Sequence, residues 1–418
     1  FPDCMNNLYD RQTRLIDWNT ETLLGLLKKV VARRGDSSPS RRRILEANPA
    51  MLHGGSIPLE EVKEIIELPE FNHRTGKKQQ DPDSVEISSQ VVSQLREYVS
   101  CIANQYRNNA FHNFEHASHV AMSVIKLLSR IVAPREMEAE IIGAANNKKT
   151  AATLHDHTYG ITSDPLTQFA CAFSALIHDV DHVGVPNTRL SEDMPHMAEK
   201  YTYRSVAEQN SLDIAWQMLM EDRFTELRGT LFATQAELQR FRELVVNSVM
   251  ATDIVDKDLK QLRNGRWDKA FKKDAESRIV ESERDAVNRK ATIVIEHLIQ
   301  ASDISHTMQH WHVYRKWNER LFEEMYTAFR EGRSEVNPAT FWSKGEIGFF
   351  DFYIIPLARK LKECGVFGVS SDEFLNYAIE NRREWEARGE EITAEMVAKF
   401  GKEFESCEED DESDGYMC

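Results

Sequence analysis

The chain has 418 residues, 41% hydrophobic and 29% charged, which excludes a disordered or fibrous protein over most of its length and leaves material for one large core or two smaller ones. Its formal charge of −16 argues against a nucleic-acid backbone as partner. Six scattered cysteines without a C-x-x-C pair, no apolar run of about 18 residues and no signal peptide point to a reducing, cytoplasmic setting with no membrane span in this chain. The first residue is Phe rather than Met, so the chain reads as a piece of a longer parent that could carry regulatory domains or a membrane anchor.

The first helical stretch, ETLLGLLKKVVARR, is apolar nearly all round and breaks at RRGDSSPSRRR, a basic Ser/Pro-rich linker. Arg41, Arg42 and Arg43 near Ser37, Ser38 and Ser40 also suit a kinase target, but a plain flexible linker is the preferred reading. PLEEVKEIIELPEF predicts a helix that starts at Pro58 and stops before Pro69. GKKQQDPDS then reads as a loop.

From Val85 onward a helical period dominates. HNFEHASHVAMSVIKLLSRIVAP puts Val120, Val124, Leu127, Leu128 and Ile131 on one face and stops at Pro134. In DPLTQFACAFSALIHD, Asp164 is the expected N-cap with Pro165 in the first turn, and Leu166, Phe169, Phe173, Leu176 and Ile177 form the buried stripe. A further stripe runs through Trp311, Tyr314, Leu321, Met325 and Phe329 and ends near Gly332. These patterns predict an all-α, compact multi-helix bundle. Its expected parts are a separate helical lead-in and linker (1–84), one compact unit (85–400) and a solvated acidic tail (401–418) that carries eight of the acids.

The chemistry concentrates where helices end. His112 and His116 stand four apart, as do His178 and His182, with Asp179 and Asp181 between the second pair; Asp303 lies in another apolar run, LIQASDISH. One such residue is more often a hydrogen-bonded structural group than a ligand. Five or six of them on three apolar helices would incur the desolvation cost repeatedly, and a metal site resolves this. Imidazole with carboxylate suits Zn at one position, and a carboxylate- and water-rich neighbour suits Mg or Mn. LHDHTYG (154–160) also holds a His-Asp-His, but its polar, loop-like setting makes it a decoy.

HNFEHASHV, IHDVDHVGVPN, VMATD, ASDIS and GEIGFFDFYIIPL, in that order, resemble the catalytic domain of class I 3′,5′-cyclic nucleotide phosphodiesterases, within the HD-type metallophosphohydrolases. The resemblance runs from about Arg107 to Leu357, and its flanks extend it to most of 85–400. It implies hydrolysis of cAMP or cGMP to 5′-monophosphates, with two divalent ions, zinc and magnesium, in a central pocket. It implies His116, His178, Asp179 and Asp303 as metal ligands, with Asp179 bridging to the second ion. His112 would be the general acid oriented by Glu324, acting on a phosphate attacked by hydroxide shared between the ions. His182, Glu208 and Asp253 would orient water on the ions.

By the same match Phe349 stacks on the purine, with Trp317 and His306 nearby. Glu346 stands where the family usually has Gln. A Gln amide offers donor or acceptor, whereas an ionised Glu only accepts, which tilts the expectation toward guanine and cGMP. Phe111 stands in place of the usual Tyr, His119 of an Asp, Asn210 of a His and His306 of an Asn, and Glu136–Ser163 looks like an inserted surface loop. Two alternatives remain: another HD-type phosphohydrolase, against which His112-Asn113 and GEIGFFDF stand, and a non-catalytic nucleotide sensor, which would be expected to lack a ligand or the acid His.

Overall fold

The computed structural model describes residues 2–34, 57–71, 81–131, 147–272 and 282–414, with side chains for 11–34, 57–71, 81–131, 152–272 and 282–402. Among the described residues there are sixteen α-helices and no β-strand. The first five are α1 (Pro2–Arg34), α2 (Ser89–Gln105), α3 (Phe114–Ser129), α4 (Asn147–His157) and α5 (Pro165–Ile177). Two short helices follow, α6 (Asn187–Asp193) and α7 (Pro195–Lys200), then α8 (Val206–Leu219), α9 (Thr225–Leu231), α10 (Gln235–Thr252) and α11 (Lys257–Phe271). The last five are α12 (Glu283–Asp303), α13 (Trp311–Arg330), α14 (Trp342–Phe349), α15 (Ile355–Glu363) and α16 (Val369–Asp414).

The centre of the bundle is α5, on which every residue but Gln168 is buried. A helix apolar on all sides is stable only when neighbours cover all of it, and α1, α3, α10 and α12 do so. Phe169 and Phe173 meet Phe241 of α10 at ring distances of 6.1 and 5.3 Å. Asp164 makes no cap to a backbone N–H; its carboxylate accepts from the Thr167 hydroxyl at 2.7 Å and pairs with Arg33 at 3.1 Å and Arg240 at 3.3 Å. The expected cap is therefore an ion-paired side chain that anchors α1 beside the start of α5.

The expected division at residue 84 is not a packing boundary. Leu23, Leu26, Leu27 and Val30 of α1 belong to the same apolar core as α5, and Asn19 donates to the Ser118 hydroxyl of α3 at 2.9 Å. Residues 58–71 depart furthest from expectation. Only Pro58–Glu61 form a single 3-10 turn, and the rest runs as an irregular, non-helical strap. The expected insert at 136–163 is helical in its second half: α4 is followed by a turn in which Thr158 and Ile161 are buried. The basic linker beyond Arg34, residues 132–146 and the acidic side chains beyond Lys402 lie outside the described residues, although the backbone of α16 continues to Asp414.

Candidate metal and acid–base site

Three helix ends bring the site together. Asn113 caps α3 by accepting from the His116 amide at 3.0 Å, so that His116 sits in the first turn of α3. The sequence leaves α5 at Ile177, placing His178 and Asp179 in the turn, where Asp181 and Gly184 take left-handed φ values of 63° and 76°. A Cβ on Gly184 would lie 3.4 Å from both Asn109 Oδ1 and Glu324 Cγ. Asp303 is the last residue of α12.

The Nε2 atoms of His116 and His178 lie 3.1 and 3.2 Å from Asp303 Oδ1, and 3.7 and 3.1 Å from Asp179 Oδ2. On its other side His178 Nδ1 is 2.9 Å from the Ala175 carbonyl, which only a donor can satisfy. In the neutral ring this leaves a lone pair on Nε2 facing two carboxylate oxygens. Acceptors cannot face acceptors in a buried site without a cation or a proton between them. Burial alone would lower the His178 imidazole, but Asp179 and Asp303 hold it well above its ordinary range; both carboxyls in turn stay below theirs against the desolvation that would raise them, chiefly through His178. Two imidazoles and two carboxylates are a donor set that fits a divalent cation of the zinc type.

Beside this cluster the His112 Nδ1 is 2.5 Å from Glu324 Oε1, and the other oxygen of Glu324 accepts from the Phe111 and His112 amides at 2.8 and 2.9 Å. Three contacts fix one carboxylate, and with it the imidazole. Burial would lower His112, but Glu324 raises it to about 9. The His182 ring lies 4.0 Å from it, is driven down to about 4 chiefly by burial, and accepts from the Gly184 amide at 3.1 Å. One ring is therefore charged and its neighbour neutral at pH 7.

Glu208 accepts from Asn187 at 2.9 Å and is raised to about 8 by burial and by Asp253. One Asp253 oxygen accepts from the Ser205 hydroxyl at 2.7 Å and the other from the Val255 and Asp256 amides at 2.8 and 3.0 Å. Ser205 adopts φ 41° to make this contact, a conformation that costs a non-glycine residue energy.

A cavity of about 200 Å³ opens at Asp303 and His116 and is lined further out by His306, Trp317, Gln309 and Lys126. Glu346 and Phe349 lie outside that lining. The Glu346 carboxylate accepts from the Tyr314 hydroxyl, which itself accepts from Trp385 Nε1 at 2.6 Å. Tyr314 in turn lies 6.4 Å from the His306 ring. Burial raises Glu346 to about 7. Phe349 stacks on Tyr353, ring centres 5.3 Å apart. His155 of the decoy motif lies 2.5 Å from the Ser163 hydroxyl, and neither it nor His157 belongs to a ligand cluster among the described residues.

The sequence profile of the family described as 3′5′-cyclic nucleotide phosphodiesterase matches residues 111–366. The chain belongs to this family. The probable 3′,5′-cyclic-AMP phosphodiesterase pde-4 of Caenorhabditis elegans is 25% identical over 308 residues, 71% of this chain and 40% of that protein. The dual specificity calcium/calmodulin-dependent 3′,5′-cyclic nucleotide phosphodiesterase 1C of Mus musculus is 27% identical over 278 residues, 63% of this chain and 33% of that protein. The chain thus spans two fifths or less of the length of these relatives. The crystal structure of the phosphodiesterase domain of Salpingoeca rosetta rhodopsin phosphodiesterase superposes with a TM-score of 0.54 at 20% identity, over 73% of this chain and 83% of that one, a likeness of fold.

Within this phosphodiesterase fold several supporting residues escape a reading by motif. Asn109 donates to the carbonyls of both His112 and His182, at 3.0 and 2.7 Å, and so ties the two histidine turns together. The Tyr106 hydroxyl donates to the Leu176 carbonyl at 2.8 Å. Arg107 pairs with Asp181 at 2.8 Å, which accounts for that carboxylate without a metal. Only the Asn109 position, three residues before His112, carries any local signal, as a turn-prone Asn.

Proposed function

We propose that the chain hydrolyses 3′,5′-cyclic nucleotides to 5′-nucleoside monophosphates and so terminates a second-messenger signal. The observation that carries this is the pairing of the His116, His178 and Asp179 cluster, joined by Asp303, with a separately buttressed His112–Glu324 dyad. The four cluster residues would hold a zinc-type ion, with Asp179 shared with a magnesium or manganese ion near Glu208 and Asp253. When bound, such cations supply Lewis-acid neutralisation of a phosphoryl group and acidification of water.

The chain's own groups do the rest. Glu324 keeps the His112 ring protonated and aimed, leaving Nε2–H to pass a proton to the departing 3′ oxygen. His182, neutral, stacks on that ring without competing for its proton. Glu208 and Asp253 orient water, with Ser205 and Asn187 fixing their carboxylates. Trp317 and His306 wall the cavity next to Asp303; burial holds His306 neutral, lowered to about 3, which suits contact with an uncharged base. By the family match Phe349 would supply the stacking face for the purine, although here it lies outside the cavity lining and against Tyr353.

Base preference in this reading lies with Glu346, acting with Tyr314. An ionised carboxylate that only accepts favours the N1–H and N2–H donors of guanine over the N1 lone pair of adenine, so the preferred substrate is cGMP. Because Glu346 is raised to about 7, the cGMP/cAMP ratio of kcat/KM is expected to rise between pH 6 and pH 8, and Glu346→Gln is expected to flatten that profile. The same substitution has a stability signature. The folded chain holds this proton more tightly than an unfolded chain with the ordinary value of 4.5, so stability is lost as pH rises from 4.5 to about 7. Glu346→Gln should therefore change stability little at pH 5 and raise it by about 2–3 kcal/mol at pH 8. A variant whose ratio equals the parent's at every pH would remove Glu346 from base selection.

The setting is cytoplasmic in this reading. Among the described residues Cys101, Cys171 and Cys364 are free thiols, and no helix is long and apolar enough to cross a membrane. The partner is a small cyclic nucleotide rather than a nucleic acid. Regulatory domains in a longer parent fit both the share of the relatives' length covered here and the structural neighbour, itself one domain of a rhodopsin phosphodiesterase.

A further inference from the structure

The strap formed by residues 57–71 lies before the region that the family profile matches, and its backbone is read by side chains. The Leu59 amide donates to Gln209 Oε1 at 3.1 Å, the Ile66 amide to Thr292 Oγ1 at 2.9 Å, and the Leu68 amide to Asn288 Oδ1 at 3.1 Å. Asn247 takes both backbone groups of Lys63, accepting from its amide at 2.9 Å and donating to its carbonyl at 2.8 Å. The buried Arg266 donates to that carbonyl as well, at 2.8 Å. Ile66 and Leu68 are buried in the main core, and Glu61 forms a two-pronged pair with Arg242 at 2.8 Å for each contact. Recognition of main-chain groups by fixed side chains in a groove is how proteins bind extended peptides.

The helices that bind the strap are the ones that deliver carboxylates to the site. Gln209 follows Glu208 on α8, Asn247 lies six residues before Asp253 on α10, and Thr292 lies eleven residues before Asp303 on α12. Here α10 packs directly against both α8 and α12, and the spacing of the three helices sets the spacing of the carboxylates they carry. The strap spans all three. We propose that residues 57–71 are a positioning element of the metal pocket, holding α8, α10 and α12 at the spacing at which Asp303 can hold a divalent cation and Glu208 and Asp253 can orient water beside it. The proposal rests on the reading of those carboxylates as a metal pocket.

The test uses the full chain, stripped of metal and titrated with Mn²⁺, with the free ion followed by electron paramagnetic resonance and thermal unfolding recorded alongside. Thr292→Val removes the acceptor for the Ile66 amide at almost constant volume, and Thr292→Ser restores it. Glu61→Gln weakens the outer clamp alone, a mild change that serves should Thr292→Val fold poorly. Thr292→Val is expected to weaken Mn²⁺ binding by about 10-fold, the lower end of what loss of an outer partner costs a metal site. Thr292→Ser should bind like the parent, and Glu61→Gln should fall between. If the parent binds Mn²⁺ and the folded variants bind it equally well, whatever their melting temperatures, the strap is only structural and the proposal is overturned. If the parent itself binds no Mn²⁺, the metal-pocket reading fails first and takes this proposal with it.

Discussion

Replacing Asp303 with Ala is expected to abolish turnover while leaving the helical content of the chain intact. Asp303 Oδ1 is the acceptor that both His116 and His178 face, at 3.1 and 3.2 Å. Without it, two buried imidazoles and Asp179 remain, one donor fewer than the set that would hold a zinc-type ion. Loss of outer partners alone costs metal sites about 10–100-fold in affinity or activity, so loss of an inner ligand should exceed the upper figure. Elemental analysis of the purified variant should show the more tightly held ion largely gone, and circular dichroism should show an unchanged helix signal. A variant that keeps both metal and rate would remove Asp303 from the site.

The second large effect is expected at His112. His112→Gln keeps polarity at that position but removes the group able to protonate a leaving oxygen, and general acid help of this kind is worth about 10²–10⁴ in rate. The metal ligands are separate residues, so bound metal should be retained. The loss should depend on the leaving group. A phosphodiester with a nitrophenolate leaving group needs no proton to depart, and the variant should hydrolyse it nearly as fast as the parent does. Glu324→Gln should show a smaller loss on the cyclic substrate, because Gln can still accept from the two amides but no longer holds the His112 proton. An equal loss on both substrates would mean that His112 positions or binds rather than donating a proton.

The residues proposed as metal ligands are legible as part of a larger group, because each stands at one end of an apolar run, where a buried ionisable group needs a partner; the family resemblance is what separates them from His112, Asp181 and His182. The helices α3 and α5 are legible from their apolar stripes, although the burial of α5 on nearly every side is visible only in the structure. Glu324 is not legible from periodicity. The expected stripe on α13 runs through Trp311, Tyr314, Leu321, Met325 and Phe329; Tyr314 is buried and Trp311, Leu321 and Met325 pack partly buried against the core, while the buried face also takes in Asn318, Phe322, Glu324 and Tyr326. A helix facing a polar site buries polar groups as well, and a hydrophobic pattern does not mark them; only the family resemblance singles out Glu324.

The strap shows a different failure. Val62, Ile65, Ile66 and Pro58 imitate a helix with its start signal, but the backbone groups find partners on residues 150 to 226 positions away. Nothing local encodes that choice. The lead-in misleads similarly, because the long Ser/Pro-rich linker after α1 says nothing about where α1 itself packs. Glu346 stands out as a departure from the family pattern, yet its immediate partner, Tyr314, sits 32 residues earlier and reads as a plain core aromatic.

The most direct test of the account is parallel hydrolysis of cAMP and cGMP by the purified chain with Mg²⁺, with and without a chelator, and products resolved by phosphorus NMR. The account predicts 5′-monophosphate as the product, formation that stops on chelation and returns with metal, and faster turnover of cGMP. A folded, metal-loaded chain that turns over neither nucleotide would contradict it.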